Sequence, residues 1–220
     1  MYDFADFGDV HEVIYNKQFD IDDTTEVLIF IKRMLTALQA LHVRGYAHMD
    51  FKLENVLTFG PGLYFLSDFG NACHVDRGTP DTCGTNSYLP PEFWLQVDNA
   101  PPQKRDVFSL GVSLYHLISR SHFWPIPMWS NLSSDEALLE ARKQSQSDVQ
   151  TRYQGLEAHL ERVALYGHHL RGPMLEREII LRLLQGMLVK DPEKRPSSSD
   201  LLQEFDNALS LQLKLYLEFF

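Results

Sequence analysis

The chain has 220 residues, 44% of them apolar and 23% charged, with 30 acidic against 20 basic residues for a formal charge of −10. That length and balance exclude a disordered tail, suffice for one substantial core, and disfavour broad nonspecific binding to nucleic acid. No apolar run approaches the roughly 20 residues of a membrane span and no basic stretch leads into a signal core; with only Cys73 and Cys83 available for a disulfide, an intracellular, cytoplasmic site is expected, the nucleus staying open.

The opening "YDFADFGDVHEVI" mixes aromatic and acidic positions around Gly8 and reads as a strand or linker entering a turn. Asp23 then offers an N-cap, with Glu26 three residues on as in a capping box. Val27, Leu28, Ile31, Met34, Leu35, Leu38 and Leu41 recur at helical spacing, which predicts a helix from about Thr24 to His42, ended by Gly45. "NVLTF" and "LYFLSDF" flank "GPG" and predict a hairpin, with "HMDFKLEN" (residues 48–55) before its first strand and Asp68 at the end of its second. Gly70 to Glu92, rich in Gly, Pro, Thr, Asp and Asn, predicts an ordered or switchable loop.

Pro101 and Pro102 precede "QKRDVFSLGVSLYHLI", apolar on most sides, as for a buried helix; Asp106 near its start can accept backbone hydrogen bonds there. The polar stretch 133–169 is expected as a solvated helical elaboration. Ile179, Ile180, Leu183, Leu184, Met187 and Leu188 predict an amphipathic helix closed by "KDPEKRP", and a last helix begins near Ser197–Asp200. The ending "LQLKLYLEFF" alternates apolar and polar residues, which suits a docked strand or an amphipathic tail and assigns no role. Early strands followed by many helices predict one mostly helical domain with a small β element.

The chemistry-bearing residues divide a task among themselves. A carboxylate at Asp50 can orient a hydroxyl and accept its proton, and Lys52 can place positive charge beside a transferring phosphate. Asn55 and Asp68 offer oxygen ligands suited to Mg²⁺. Phosphoryl transfer needs this combination of positioning and charge neutralisation. Cys73, His74 and Cys83 lack a fourth ligand and zinc spacing, and are expected as ordinary loop residues.

In their order and spacing these segments closely resemble the eukaryotic-type serine/threonine protein kinase family, an α+β protein-kinase-like fold, over roughly residues 3–205. The resemblance implies that Asp50 is the catalytic base, that Lys52 is the lysine of Ser/Thr-directed members, and that Asn55 and Asp68 hold the metal. Asp68, Phe69 and Gly70 match the metal-binding motif, "GTNSYLPPE" with Thr85 and Glu92 matches the end of the activation segment (68–92), and Asp106 opens the central helix. Arg195 of "DPEKRP" is implied to pair with Glu92; His48 to pack beneath Phe69 and bond to backbone; Phe69 to be a core and switch residue; Leu57 to form one wall of the adenine site. ATP and Mg²⁺ are the implied cofactors and a protein carrying a Ser or Thr hydroxyl the implied substrate, with no nucleic acid and no membrane span.

Two departures qualify the resemblance. The small β lobe, with its G-x-G-x-x-G loop, strand lysine and paired glutamate, is not recognisable, and residues 2–10 resemble the hinge. Three accounts stand open: a fragment of a full kinase, a product whose other lobe comes from a partner or was lost, and a non-catalytic pseudokinase or kinase-fold scaffold. The chain alone is expected to be weak or inactive, with an apolar patch beside "SDFG" left open to dimerisation, to a small-lobe or regulatory partner, or to aggregation. Met49 stands where the family often has arginine, so phosphorylation at Thr79, Thr82, Thr85 or Ser87 is expected to act through another basic group or to activate little; its own packing as a core methionine is the simpler account.

Overall fold

The computed structural model describes residues 5–17, 20–77, 84–97, 99–124 and 147–218, with side chains as far as residue 210. Its first stretch departs from the expected strand or linker. Gly8 (φ 72°) presents its carbonyl to the Thr58 amide at 3.0 Å, Asp9 bridges Leu57, and the chain then enters a helix, α1 (Val10–Asn16). The Asp9 carboxylate accepts from the Glu12 amide at 2.8 Å, an N-cap that starts the helix, and Val10, Val13 and Ile14 form its buried face. Residues 2–4 of the hinge-like segment lie outside the described residues.

Helix α2 (Thr24–His42) has the expected bounds, with Asp23 accepting from the Thr25 amide at 2.9 Å. Its stripe, including Val27, Phe30, Ile31, Met34, Leu35 and Leu38, is fully buried. The expected capping box is left half made. Glu26 accepts instead from the Gly62 amide and the Tyr64 hydroxyl, which ties the helix to the hairpin. Burial, reinforced by that carboxylate, holds the Tyr64 hydroxyl well above its ordinary pKa.

Strand β1 (Tyr46–Ala47) leads into residues 48–55. The predicted hairpin follows as β2 (Val56–Thr58) and β3 (Tyr64–Leu66), antiparallel in the register Val56–Leu66, Leu57–Phe65, Thr58–Tyr64. Strand β4 (Cys73–His74) returns to pair with β1, so the segments on both sides of Asp68 are anchored to backbone. A short helix α3 (Pro91–Trp94) precedes α4 (Pro102–Ser119), which is buried on nearly all sides. Gly111 allows its closest approach to the next layer: a Cβ there would lie 2.7 Å from Cβ of Met187.

Of the stretch expected as a solvated elaboration, residues 133–146 lie outside the described residues, and 147–153 are helical. Helix α5 (Leu156–Tyr166) is no solvated appendage: Leu156, Leu160 and Ala164 are buried where it packs on α6 (Met174–Met187). Helix α7 (Ser198–Glu218) opens with Ser197 and Asp200 bonding each other's amides, at 2.9 and 3.1 Å. It continues through residues 211–218, which rules out the docked strand there, because Leu, Gln, Lys and Glu favour the helix over two-residue alternation. No helix among the described residues is long and apolar enough to cross a membrane.

The last turn of α4 carries a pH-sensitive contact. His116 is buried, with the rings of His11 on α1 and His122 at 5.8 and 4.9 Å and the Tyr15 hydroxyl 3.4 Å from its Nε2. Burial first, then His122, His11 and Arg120, lowers its pKa from 6.5 to about 4. Between those values the unfolded chain binds the proton and the folded one does not, so stability is fully present above 6.5 and is lost as pH falls towards 4. We expect this residue to account for about 1–2 kcal/mol of acid destabilisation, reduced by the solvent that reaches exposed His122. Urea midpoints measured across that range should fall less steeply for His116→Gln than for the parent; parallel slopes would remove the contribution.

Candidate active site

The loop after β1 is held from below by α4. Asp106, wholly buried, accepts from the amides of His48 (2.7 Å) and Met49 (2.8 Å), with Nε2 of His42 at 2.9 Å. The sequence placed these bonds at the start of Asp106's own helix; the structure draws them from another segment. Met49 needs the restraint, since its backbone sits at φ 70°, where a bulky side chain costs about 1–3 kcal/mol. Its side chain is 2% exposed. Gly84 (φ 99°) passes directly over this turn. A Cβ there would come within 2.8 Å of the Met49 carbonyl oxygen, so only glycine lets the two segments cross.

Above that support the polar residues converge. Oδ1 of Asp50 accepts from the Thr85 hydroxyl at 2.8 Å, and that hydroxyl in turn accepts from Nζ of Lys52 at 3.0 Å. The same Nζ lies 3.6 Å from Oδ2 of Asp50, towards which Nδ2 of Asn71 also points at 3.4 Å. Asn55, buried, donates its Nδ2 to the backbone oxygen of Asp50 at 2.8 Å, which leaves Oδ1 as the atom available to a metal. Ser67 ties the next segment to Asn55: its amide and hydroxyl donate to the Asn55 carbonyl at 2.8 and 2.9 Å. Asp68 therefore follows directly beside Asn55, exposed and in the left-handed region (φ 55°), with one carboxylate oxygen accepting from the Gly70 amide at 3.2 Å.

His48 is fully buried and bonds to the Ser67 carbonyl through Nε2 at 2.9 Å, with its Nδ1 3.4 Å from the Asp50 amide. The Phe69 ring lies against it at 5.2 Å, yet Phe69 is 51% exposed and so takes no part in the core that the resemblance implied for it. Phe65 on β3 is exposed to a similar degree. Gly70 closes the exposed turn, and Leu57, half-buried, sits on the hairpin edge bridged by Asp9.

Glu92 and Arg195 meet apart from these residues, as a buried bidentate pair at 2.7 and 2.9 Å. Thr79, Thr82 and Cys83 lie outside the described residues. Sequence reading missed His42, Ser67 and Asn71. His42 and Ser67 act through contacts across the fold, and nothing in their local pattern marks them; Asn71 had a faint signal in following Gly70 directly.

Comparison with known proteins agrees with the geometry. The family model described as protein kinase domain matches residues 1–205. A Wee1-like protein kinase of Arabidopsis thaliana is 31% identical over 177 residues, 80% of this chain and 29% of that protein. The serine/threonine-protein kinase cds1 of Schizosaccharomyces pombe is 30% identical over 213 residues, 91% of this chain and 39% of its own length. The serine/threonine-protein kinase Nek3 of Mus musculus is 28% identical over 204 residues, 91% of this chain and 34% of its own. The chain thus spans 29–39% of the length of these relatives.

Proposed function

We propose, for a chain that belongs to the protein kinase domain family and has its α+β, mostly helical large-lobe architecture, that residues 48–71 form the phosphoryl-transfer site of a serine/threonine-directed protein kinase. The observation that carries this reading is the convergence of Lys52, Thr85 and Asn55 on Asp50, with Asp68 on the segment that Ser67 ties to Asn55.

Asp50 orients the hydroxyl of a protein substrate and accepts its proton. Its Oδ1 is occupied by Thr85, so Oδ2 is the atom that faces the incoming oxygen. Lys52, 3.6 Å from that oxygen, places its charge where the attacking hydroxyl and the phosphoryl group meet. Oδ1 of Asn55 and the exposed carboxylate of Asp68 are hard oxygen donors on adjoining segments, a set that fits Mg²⁺. Bound with ATP, Mg²⁺ supplies neutralisation of phosphate charge, and ATP the group transferred. Leu57 forms one apolar wall for the adenine. Met49, buried, puts no cation beside the activation segment, so phosphorylation there acts through another basic group or activates little.

A non-catalytic kinase-fold scaffold is the second reading. Exposed Phe65 and Phe69 beside Asp68 favour it. The proposed chemistry needs an ATP-binding small lobe, since losing even one well-placed electrostatic contact costs about 3 kcal/mol of barrier. Transfer of labelled phosphate to a protein substrate separates the readings. The chain alone is expected to run at background and the chain completed by a small lobe to transfer, with Asp50→Asn lowering kcat by about 10²–10⁴-fold. Calorimetry without Mg²⁺-ATP binding in either form, or an Asp50→Asn variant as active as its parent, would overturn the enzymatic reading.

A further inference from the structure

The contact between Asn71 and Asp50 is not used by the chemistry above. We propose that Asn71 is a positioning residue: its Nδ2 donates to Oδ2 of Asp50, fixes the plane of that carboxylate, and couples it to the turn that carries Asp68. The proposal rests on the phosphoryl-transfer reading for its consequence, although the contact itself does not depend on it.

A carboxylate held through one oxygen can still rotate about its terminal torsion, which has a broad, shallow profile. Thr85 holds Oδ1 at 2.8 Å; Asn71, at 3.4 Å, approaches the other oxygen. Two donors on different oxygens define the plane, and with it the direction in which the remaining lone pair of Oδ2 meets a substrate hydroxyl. The amide's orientation follows from charge, because its own oxygen turned towards a carboxylate would be repelled.

The backbone makes Asn71 suited to this. It ends the tight turn Phe69–Asn71, closed by the Ala72 amide on the Phe69 carbonyl at 3.1 Å. Immediately after it, β4 pairs Cys73 with Ala47, the residue before His48. Asn71 is thus tethered on its C-terminal side to the strand that feeds the catalytic loop, while Asp68, Phe69 and Gly70 before it are exposed. A rearrangement of the exposed turn removes a donor from Asp50; a turn fixed in place, as Asp68 would fix it by holding a metal, keeps that donor.

The competing account is that Asn71 is only a turn residue, a common place for asparagine. Two variants of nearly the same shape separate the accounts. Asn71→Leu removes the donor, and Asn71→Asp sets a second carboxylate against Asp50. In the chain completed by its small lobe, kcat should fall about tenfold for the first and about a hundredfold for the second, with KM for ATP within about twofold. The distance is long for a hydrogen bond, which keeps the first figure modest. Variants with parental thermal midpoints and parental kcat would overturn the proposal. A second measurement needs no activity: in the ¹⁵N-labelled chain, Asp50→Ala should move the side-chain amide signals of Asn71 and leave those of Asn207 in place. Unmoved Asn71 signals would also overturn it. Should the parent transfer no phosphate while these signals move, the kinase reading fails and the contact stands.

Discussion

Replacing Asp106 by alanine is expected to lower the stability of the chain by about 3–5 kcal/mol and to release the loop that carries Asp50. The carboxylate is wholly buried and serves the His48 amide, the Met49 amide and His42. A hydrogen bond to a charged acceptor contributes about 1.5–3 kcal/mol, and the three share one carboxylate, so their sum exceeds the net effect. The loss has a further component. Met49 at φ 70° is kept in a sparsely populated conformation by the bond to its own amide, and without it the turn relaxes to a different path. Asp106→Asn should cost nearly as much, because one of its two acceptors becomes a donor facing an N–H. A urea titration should show a lower midpoint at unchanged slope, and hydrogen exchange should show the His48 and Met49 amides losing protection. A destabilisation below about 1 kcal/mol would mean that packing of the buried Phe51 and Leu53 holds the loop without Asp106.

The same residue shows where sequence reading reaches its limit. Local periodicity and caps exposed α2 and the hairpin, because Asp23, the apolar stripe and "GPG" each act within a few residues of themselves. Asp50, Lys52 and Asn55 were legible for the same reason, being close together in one loop. Their contacts were not. Thr85, named in the sequence but not as a partner of Asp50, and Asn71, not named at all, lie 35 and 21 positions away, and only the return of β4 to β1 and the crossing at Gly84 bring them close. Glu26 illustrates the converse. Its spacing from Asp23 marked a capping box, yet the Gly62 amide and the Tyr64 hydroxyl, from the hairpin, took its carboxylate. Tertiary donors outcompeted the local one. Phe69 was assigned to the core on family resemblance, whereas the described residues leave half of its surface uncovered.

The second large effect is expected at the Glu92–Arg195 pair, where Glu92→Ala should cost about 3–5 kcal/mol. Arg195 is fully buried and Glu92 only 6% exposed, with both carboxylate oxygens bonded to the guanidinium. Removing the carboxylate strands a cation in a region where solvent cannot compensate it. The remaining partners soften the loss without cancelling it: Nε donates to the Val189 carbonyl at 2.9 Å, Nη1 to that of Lys104 at 2.7 Å, and the Phe108 ring lies 4.8 Å from the guanidinium. Those carbonyls also predict the behaviour of the double variant. Pairing Glu92→Ala with Arg195→Met removes the stranded charge, so the combined loss should be smaller than the sum of the single losses. It should not return to the parental value, because the Val189 and Lys104 carbonyls lose their donor. Salt supplies an independent check. Lys32 and Asp206, 40% and 55% exposed, form a surface pair that added salt weakens, whereas the contribution of Glu92 measured in urea should barely change with ionic strength. A contribution that fades with salt as a surface pair does would place Glu92 and Arg195 in contact with solvent, and the anchor between α3 and the turn before α7 would then have to be sought elsewhere.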